Sequence, residues 1–238
     1  NEGGQLGDGT TIRKSSPVQI GSLSWSQVST DSGGGGSISS SNGTTTAILA
    51  NGSLYAWGNN IFGQLGDGTT VNKSSPVQIG SQSWAQVSSA YRTKYAIHSN
   101  GALFAWGLNT FGNLGDGTTI NQSSPIQIGS RSWLQISGGA NTTYGITTNN
   151  ELFAWGYNGV GSLGDGTTVN KSSPVKIGTE SWIQVAAALT DFSSNPDGGE
   201  VLAIHANGSL YAWGKNTLGG LGDGTTVSKS SPIFLPTA

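Results

Sequence analysis

The sequence predicts an all-β fold, a β-propeller of four-stranded blades, and three observations carry the expectation. The hexapeptide Leu-Gly-Asp-Gly-Thr-Thr occurs five times, from Leu6, Leu65, Leu114, Leu163 and Leu221, with starts 59, 49, 49 and 58 residues apart. A period of this size belongs to propellers and solenoids. No segment sustains helical periodicity, and the density of Gly, β-branched residues and Asn-Gly turns disfavours helices. Each unit holds four short extended segments, and such units repeated radially form propellers of about 4 to 8 blades.

The unit from Trp84 to Ile128 shows the elements in order. Strand A is expected over 84–87 and strand B over 95–98, both alternating larger apolar residues with others. Asn100-Gly101 then signals a type I′ hairpin turn, and strand C follows over 103–107. A loop over 108–123 contains Leu114, positioned to pin it inward, and Asp116-Gly117 as a turn pair. Strand D is expected over 124–128. Pro125 lacks a backbone donor, which puts D at the outer edge of the blade.

Repeating this register gives one domain over 1–238, with blades at about 25–79, 84–128, 133–177 and 182–235 and a partial repeat over 1–24. The partial repeat holds only the long loop and a D strand over 16–20. An isolated D strand needs A, B and C partners, so they either preceded Asn1 or come from another blade or copy. The expectation is a piece of a longer chain; the rival is a four-bladed ring in which the N-terminal D strand lies against the last blade.

Composition narrows the function classes. Ten Lys+Arg against twelve Asp+Glu leave a formal charge of −2, without the basic field that nucleic acid needs. No apolar run is long enough for a membrane span, and there is no cysteine for a disulfide, thiolate site or nucleophile. Only 9% of residues are charged, while Ser, Thr, Asn and Gly dominate. This favours an extracellular, cell-surface or virion setting over a cytoplasmic one. Trp25, Trp84, Trp133 and Trp182 open the A strands, and Trp57, Trp106, Trp155 and Trp213 close the C strands. Packing between blades is the better reading than ligand stacking, because few other large apolar residues are available.

The succession Asn100-Gly101-Ala102-Leu103-Phe104-Ala105-Trp106-Gly107, then Asn109, Gly112, Leu114 to Thr119 and Pro125, resembles the repeat of the regulator of chromosome condensation family. The resemblance covers essentially the whole chain. It implies a propeller of four-stranded blades, seven in the founding member, which is a nucleotide exchange factor for the small GTPase Ran and binds nucleosomes. Departures weigh against carrying those activities over: neither insertion reads as the family's wedge-like hairpin, and no basic tail is present. Where the family has a His before strand B, this chain has Thr44, Thr93, Thr142 and Glu200.

The two longer repeats carry their insertions between strands A and B, on the face that also holds the Gly-Asp-Gly loops. The first, 30–43, is Gly/Ser-rich with only Asp31 charged and reads as a spacer. The second supplies the leading candidate contacts, Asp191, Phe192, Asp197 and Glu200. Tyr91, Arg92 and Lys94, on the A–B connection of the unit from Trp84, complete the set. No metal is assigned, since the carboxylate spacing matches no calcium cage and the five repeated aspartates read as turn stabilisers. No cofactor is expected. His98 and His205 share one repeat position at a strand end, which disfavours a general base, and no nucleophile elbow, phosphate loop or zinc motif is present.

The sequence therefore points to a non-enzymatic binding or structural module in a surface, extracellular or virion assembly, contacting its partner through the A–B and C–D loop face. A protein or a surface glycan fits as partner, as does assembly with other chains or copies. The alternative is a guanine-nucleotide exchange factor or intracellular regulatory scaffold.

Overall fold

Alternating side chains and recurrent turn residues fold each repeat into an antiparallel meander. The computed structural model describes residues 1–31, 43–188 and 199–236, and every regular element among them is a strand. The first meander is β1 (Trp25–Thr30), β2 (Thr44–Leu49), β3 (Leu54–Gly58) and β4 (Lys73–Gln78). The second is β5 (Trp84–Ala90), β6 (Thr93–His98), β7 (Ala102–Gly107) and the first half of β8 (Gln122–Gly138). The second half of β8 opens the third, which continues through β9 (Thr142–Thr147), β10 (Leu152–Gly156) and β11 (Lys171–Lys176). The fourth is β12 (Trp182–Ala187), β13 (Glu200–His205), β14 (Leu210–Gly214) and β15 (Lys229–Phe234). Within each of the three sheets neighbours in sequence are hydrogen-bonded neighbours, and the chain passes from one sheet to the next between β4 and β5 and between β11 and β12.

Register repeats with the sequence. Thr93 faces Gly107 across β6 and β7, as Thr44 faces Gly58, Thr142 faces Gly156 and Glu200 faces Gly214. Pro76, Pro125, Pro174 and Pro232 all lie on fourth strands, where the missing donor faces away from the ladder.

Two local expectations are corrected. The hairpin at Asn100-Gly101 is not type I′, because only Gly101 has positive φ, at 88°. The Gly101 amide donates to His98 O at 2.8 Å, so the turn spans Ser99 and Asn100 and ends on a left-handed Gly, the three-residue connection with a bulge. Asn100 Oδ1 accepts from the Ala102 amide instead, at 3.0 Å. The D strand expected over 16–20 does not form: no residue of 1–24 is in a strand. The segment lies against the first meander, with Trp57 Nε1 donating to Gln5 O at 2.8 Å and the Gly9 amide to Ser74 O at 2.8 Å.

Meanders pack face to back, and this is where the core sits. Trp84, Val87 and Trp106 of the second meander close over Ile48, Leu54, Leu65 and Ile79 of the first. Trp133, Ile136 and Trp155 close over Ile97, Leu103, Leu114 and Ile128, and Trp182, Val185 and Trp213 over Ile146, Leu152, Leu163 and Ile177. The tryptophans are thus buried packing elements. Each removes about 150–250 Å² from water, which makes the junctions the dominant stabilising feature.

Polar contacts fix the same junctions. Gln27 Nε2 donates to Val87 O while its Oε1 accepts from the Val87 amide, at 3.3 and 3.0 Å, and Gln135 grips Val185 in the same way at 3.2 Å each. The long loops from Leu65, Leu114 and Leu163 also lie on the following meander. Gly115 shows why glycine is required there: at φ +83°, a Cβ would stand 2.7 Å from Trp155 Nε1.

Candidate binding face

The Leu-Gly-Asp-Gly-Thr-Thr loop is built around a buried asparagine. Asn109 Nδ2 donates to Asp116 Oδ1, Thr118 O and Ile120 O at 3.1 Å each, and its Oδ1 accepts from the Leu114 amide at 2.9 Å. Asn60, Asn158 and Asn216 repeat the arrangement. The aspartate holds the turn: Asp67 Oδ1 accepts from the Thr69 amide and hydroxyl at 3.0 and 2.8 Å.

These bonds set the aspartate protonation. Asp223 is lowered to about 2, chiefly by the Thr225 amide, against some desolvation, with the Thr225 hydroxyl, Asn216 and Lys229 adding to the effect. At Asp67 and Asp165 burial pushes upward, and the threonine and asparagine donors together with Lys73 or Lys171 outweigh it. The carboxylates are satisfied inside their own loops.

The A–B turn lies beside the start of this loop. The Leu108 amide donates to Arg92 O and the Asn59 amide to Gly43 O, at 2.9 and 3.1 Å, so both connections share one face. Across this face the apolar loop residues Phe62 and Phe111 stand half-buried, and Leu218 is 94% exposed. The Arg92 guanidinium stacks between rings, 4.9 Å from the Phe62 centroid and 4.7 Å from that of Tyr91. Phe111 meets Tyr157 edge-on at 5.2 Å. Arg92 holds φ 54°, one of two non-glycine residues with positive φ among the described residues.

The candidates from the sequence separate here. Tyr91 and Arg92 lie on this face, half-exposed. Lys94 does not: it is fully buried, and its ammonium forms an ion pair with Asp31 of the first meander, which is itself buried. Asp31, read as part of a spacer, is therefore a structural residue, and its Oδ1 also accepts from the Thr44 amide at 2.9 Å. Glu200 sits half-buried at the start of β13, with its carboxylate against Gly220 of the last loop. Asp191, Phe192 and Asp197 lie outside the described residues. Phe62, Phe111 and Tyr157 were missed by sequence reasoning. The available signal for Phe62 and Phe111 was the apolar residue recurring two positions after the hub asparagine, where no strand needs it; Tyr157 immediately precedes the hub Asn158 and has no such signal.

His98 packs edge-on against Trp84 at 5.9 Å and its Nδ1 accepts from the Asn100 amide, and His205 repeats this on Trp182 and Asn207. Both histidines serve strand ends.

The model of the regulator of chromosome condensation (RCC1) repeat matches residues 51–95, 100–146, 149–189 and 207–238, and a second RCC1 repeat model matches 37–64 and 133–162. The chain belongs to the RCC1 repeat family. No match is found among curated protein sequences. Among solved structures this RCC1-repeat chain is similar to human WBSCR16, at TM-score 0.77 and 21% identity over 100% of this chain and 61% of that one. It is also similar to Prp20p from Saccharomyces cerevisiae, at TM-score 0.71 and 18% identity over 92% and 52%, in a structure reported with binding properties to Gsp1p and histones. The ectodomain of the Physcomitrella patens receptor kinase CR4 is similar at TM-score 0.51 and 13% identity over 82% and 43%. The chain thus spans less than two thirds of the length of each. These likenesses show the RCC1-type propeller fold. No helix among the described residues is long and apolar enough to cross a membrane.

Proposed function

We propose that this RCC1-repeat chain is a non-enzymatic protein-binding module that engages its partner through the A–B and C–D loop face. The single observation that carries the reading is the stacking of Arg92 on Phe62 and Tyr91 on that face, with the separate Phe111–Tyr157 pair as a second aromatic contact there. Tyr and Arg are enriched among the residues that dominate protein interfaces, and a guanidinium already stacked between rings loses little freedom on binding. The surface, extracellular or virion setting rests on the 9% charge content and the hydroxyl- and amide-rich composition.

The test is capture of binding proteins on the immobilised chain beside an Arg92→Ala/Phe62→Ala variant with unchanged circular dichroism. The reading expects partners lost on the variant. Retention of every partner contradicts it.

A second reading is a regulator acting on a small GTPase or histones, favoured by the likeness to Prp20p. Fold alone does not carry activity between members of a superfold. Release of a fluorescent guanine nucleotide from a Ran-type GTPase separates the two: strong acceleration supports exchange, and an unchanged rate rejects it.

A further inference from the structure

The Arg92 side chain is surplus to the turn that holds it. Tyr91 and Arg92 form the whole connection between β5 and β6, with Ala90 facing Thr93. The Arg92 carbonyl accepts from the Leu108 amide at 2.9 Å, and in the neighbouring repeats Gly43 O and Asn141 O accept from the Asn59 and Tyr157 amides at 3.1 and 2.9 Å. That backbone task needs no long side chain. At φ 54°, Arg92 also occupies left-handed backbone that glycine takes at no steric cost. Asn150, the other non-glycine residue with positive φ among the described residues, stands in the turn where other repeats have Gly52, Gly101 and Gly208, and asparagine tolerates that conformation. Arginine has no such tolerance.

Rings alone hold this side chain in place. Its guanidinium stacks on Phe62 and Tyr91, while its buried Nε has no hydrogen-bond partner and no acceptor meets the rest of the group among the described residues. The lysines are placed differently. Lys14, Lys73, Lys171 and Lys229 each reach the aspartate of their own loop at 3.3–3.6 Å, and Lys94 is buried against Asp31. Arg92 is thus a cation without a counter-charge, on a half-exposed residue. Arg131 stacks in a similar way on Phe153 at 4.4 Å, but it is exposed and has no positive φ. Among the described residues only Arg92 combines stacking, backbone strain and a buried donor without an acceptor.

We propose that Arg92 is the carboxylate anchor of the binding face, taking an Asp or Glu side chain from an acidic segment of a partner protein. The proposal rests on the reading of this face as the binding face and names what it recognises. With the guanidinium stacked on Phe62 and Tyr91 and Nε buried, the two Nη nitrogens remain for a carboxylate approaching end-on, and that planar pair donates two parallel bonds. The rings fix the fork before the ligand arrives. A phosphate carries about two charges at neutral pH and favours a cluster of cations, whereas Lys94, two residues on, is neutralised by Asp31. One unpaired guanidinium matches one carboxylate. Ile61, next to Phe62, is 50% exposed and extends the apolar surface, so the acidic residue is expected beside an apolar one. Strained backbone concentrates where a site uses the residue it holds.

Short N-acetylated, C-amidated peptides test the chemistry: Leu-Glu-Leu, its isostere Leu-Gln-Leu, and Leu-phosphoserine-Leu, each titrated onto the whole chain while the Thr93 and Leu108 amides are followed by NMR. The expected result is a saturable shift of both amides with the Glu peptide and about tenfold weaker binding of the Gln peptide. Arg92→Lys keeps the charge and removes the fork, so it should weaken the Glu peptide by a similar factor, while Arg131→Gln should leave it unchanged. Arg92→Gly should abolish binding without lowering the melting temperature, because glycine relieves the φ of 54°. The proposal is overturned by the absence of a saturable shift, by equal binding of the Glu and Gln peptides, by tighter binding of the phosphoserine peptide, or by Glu-peptide binding that survives Arg92→Gly. Failure of the peptides while protein capture still depends on Arg92 and Phe62 removes the carboxylate alone; capture indifferent to both residues removes the face.

Discussion

Lys14–Ile20 and Lys73–Ile79 are the same seven residues in one molecule, and only the second is a strand. Ile79 is 1% exposed and its amide donates to Leu54 O at 2.8 Å, whereas Ile20 is half-buried and Val18 is 44% exposed. Intrinsic preference is identical by construction, so the difference comes from the partner. The second segment has β3 beside it and a following meander over it; the first has only the meander. Strand propensity expresses fit to a paired, half-buried surface, and here the pairing is missing.

The same contrast between supported and unsupported copies orders the expected effects. Trp182→Ala empties a junction groove and should cost about 3–5 kcal/mol in denaturant unfolding, while Trp25→Ala, at the unsupported front, should cost less than about half of that. Equal losses would break the comparison. Lys94→Met comes next, because it strands Asp31 without its buried partner, at a cost of about 3–5 kcal/mol, and Asp31→Asn/Lys94→Met should recover most of it. A double variant as unstable as the single one would mean that the pair does not act as a unit.

A smaller effect sharpens the comparison by showing no contrast. Asn109→Ala and Asn216→Ala each remove a loop hub and should each cost about 1–3 kcal/mol, equally, since both hubs bond only within their own loop. A milder Asn216 effect would show that the loop depends on its neighbour. The smallest effect is pH dependence. Asp223 has its folded value lowered, so its contribution is present above its ordinary value of 3.8 and lost as pH falls towards about 2. Asp67 and Asp165 are lowered in the same direction. NMR titration of the carboxylates should find all three below the usual range, in supported and terminal loops alike.

Much of the fold was legible because its signals are local and repeated. Spacing, turn residues and Pro position place β5 to β7 within a few residues, and the scarcity of large apolar side chains identifies the tryptophans as packing. The features that escaped depend on distant partners. Asp31 and Lys94 are 63 residues apart and neither sits in a pattern that announces the other. The Asn100-Gly101 pair carries the chemistry of two turn types, and the backbone around Ser99 chose between them. Of the proposed binding face, Tyr91 and Arg92 were read from their loop. Phe62, Phe111 and Tyr157 were not, because an apolar residue on a loop looks like core until the strands are in place.

Amide hydrogen exchange on the dilute, monomeric chain tests the central claim most directly, with Ile20 and Ile79 as the paired probes. The account predicts slow exchange and strand chemical shifts at Ile79, fast exchange and no strand shifts at Ile20. Equal protection of the two amides in the monomer would contradict it.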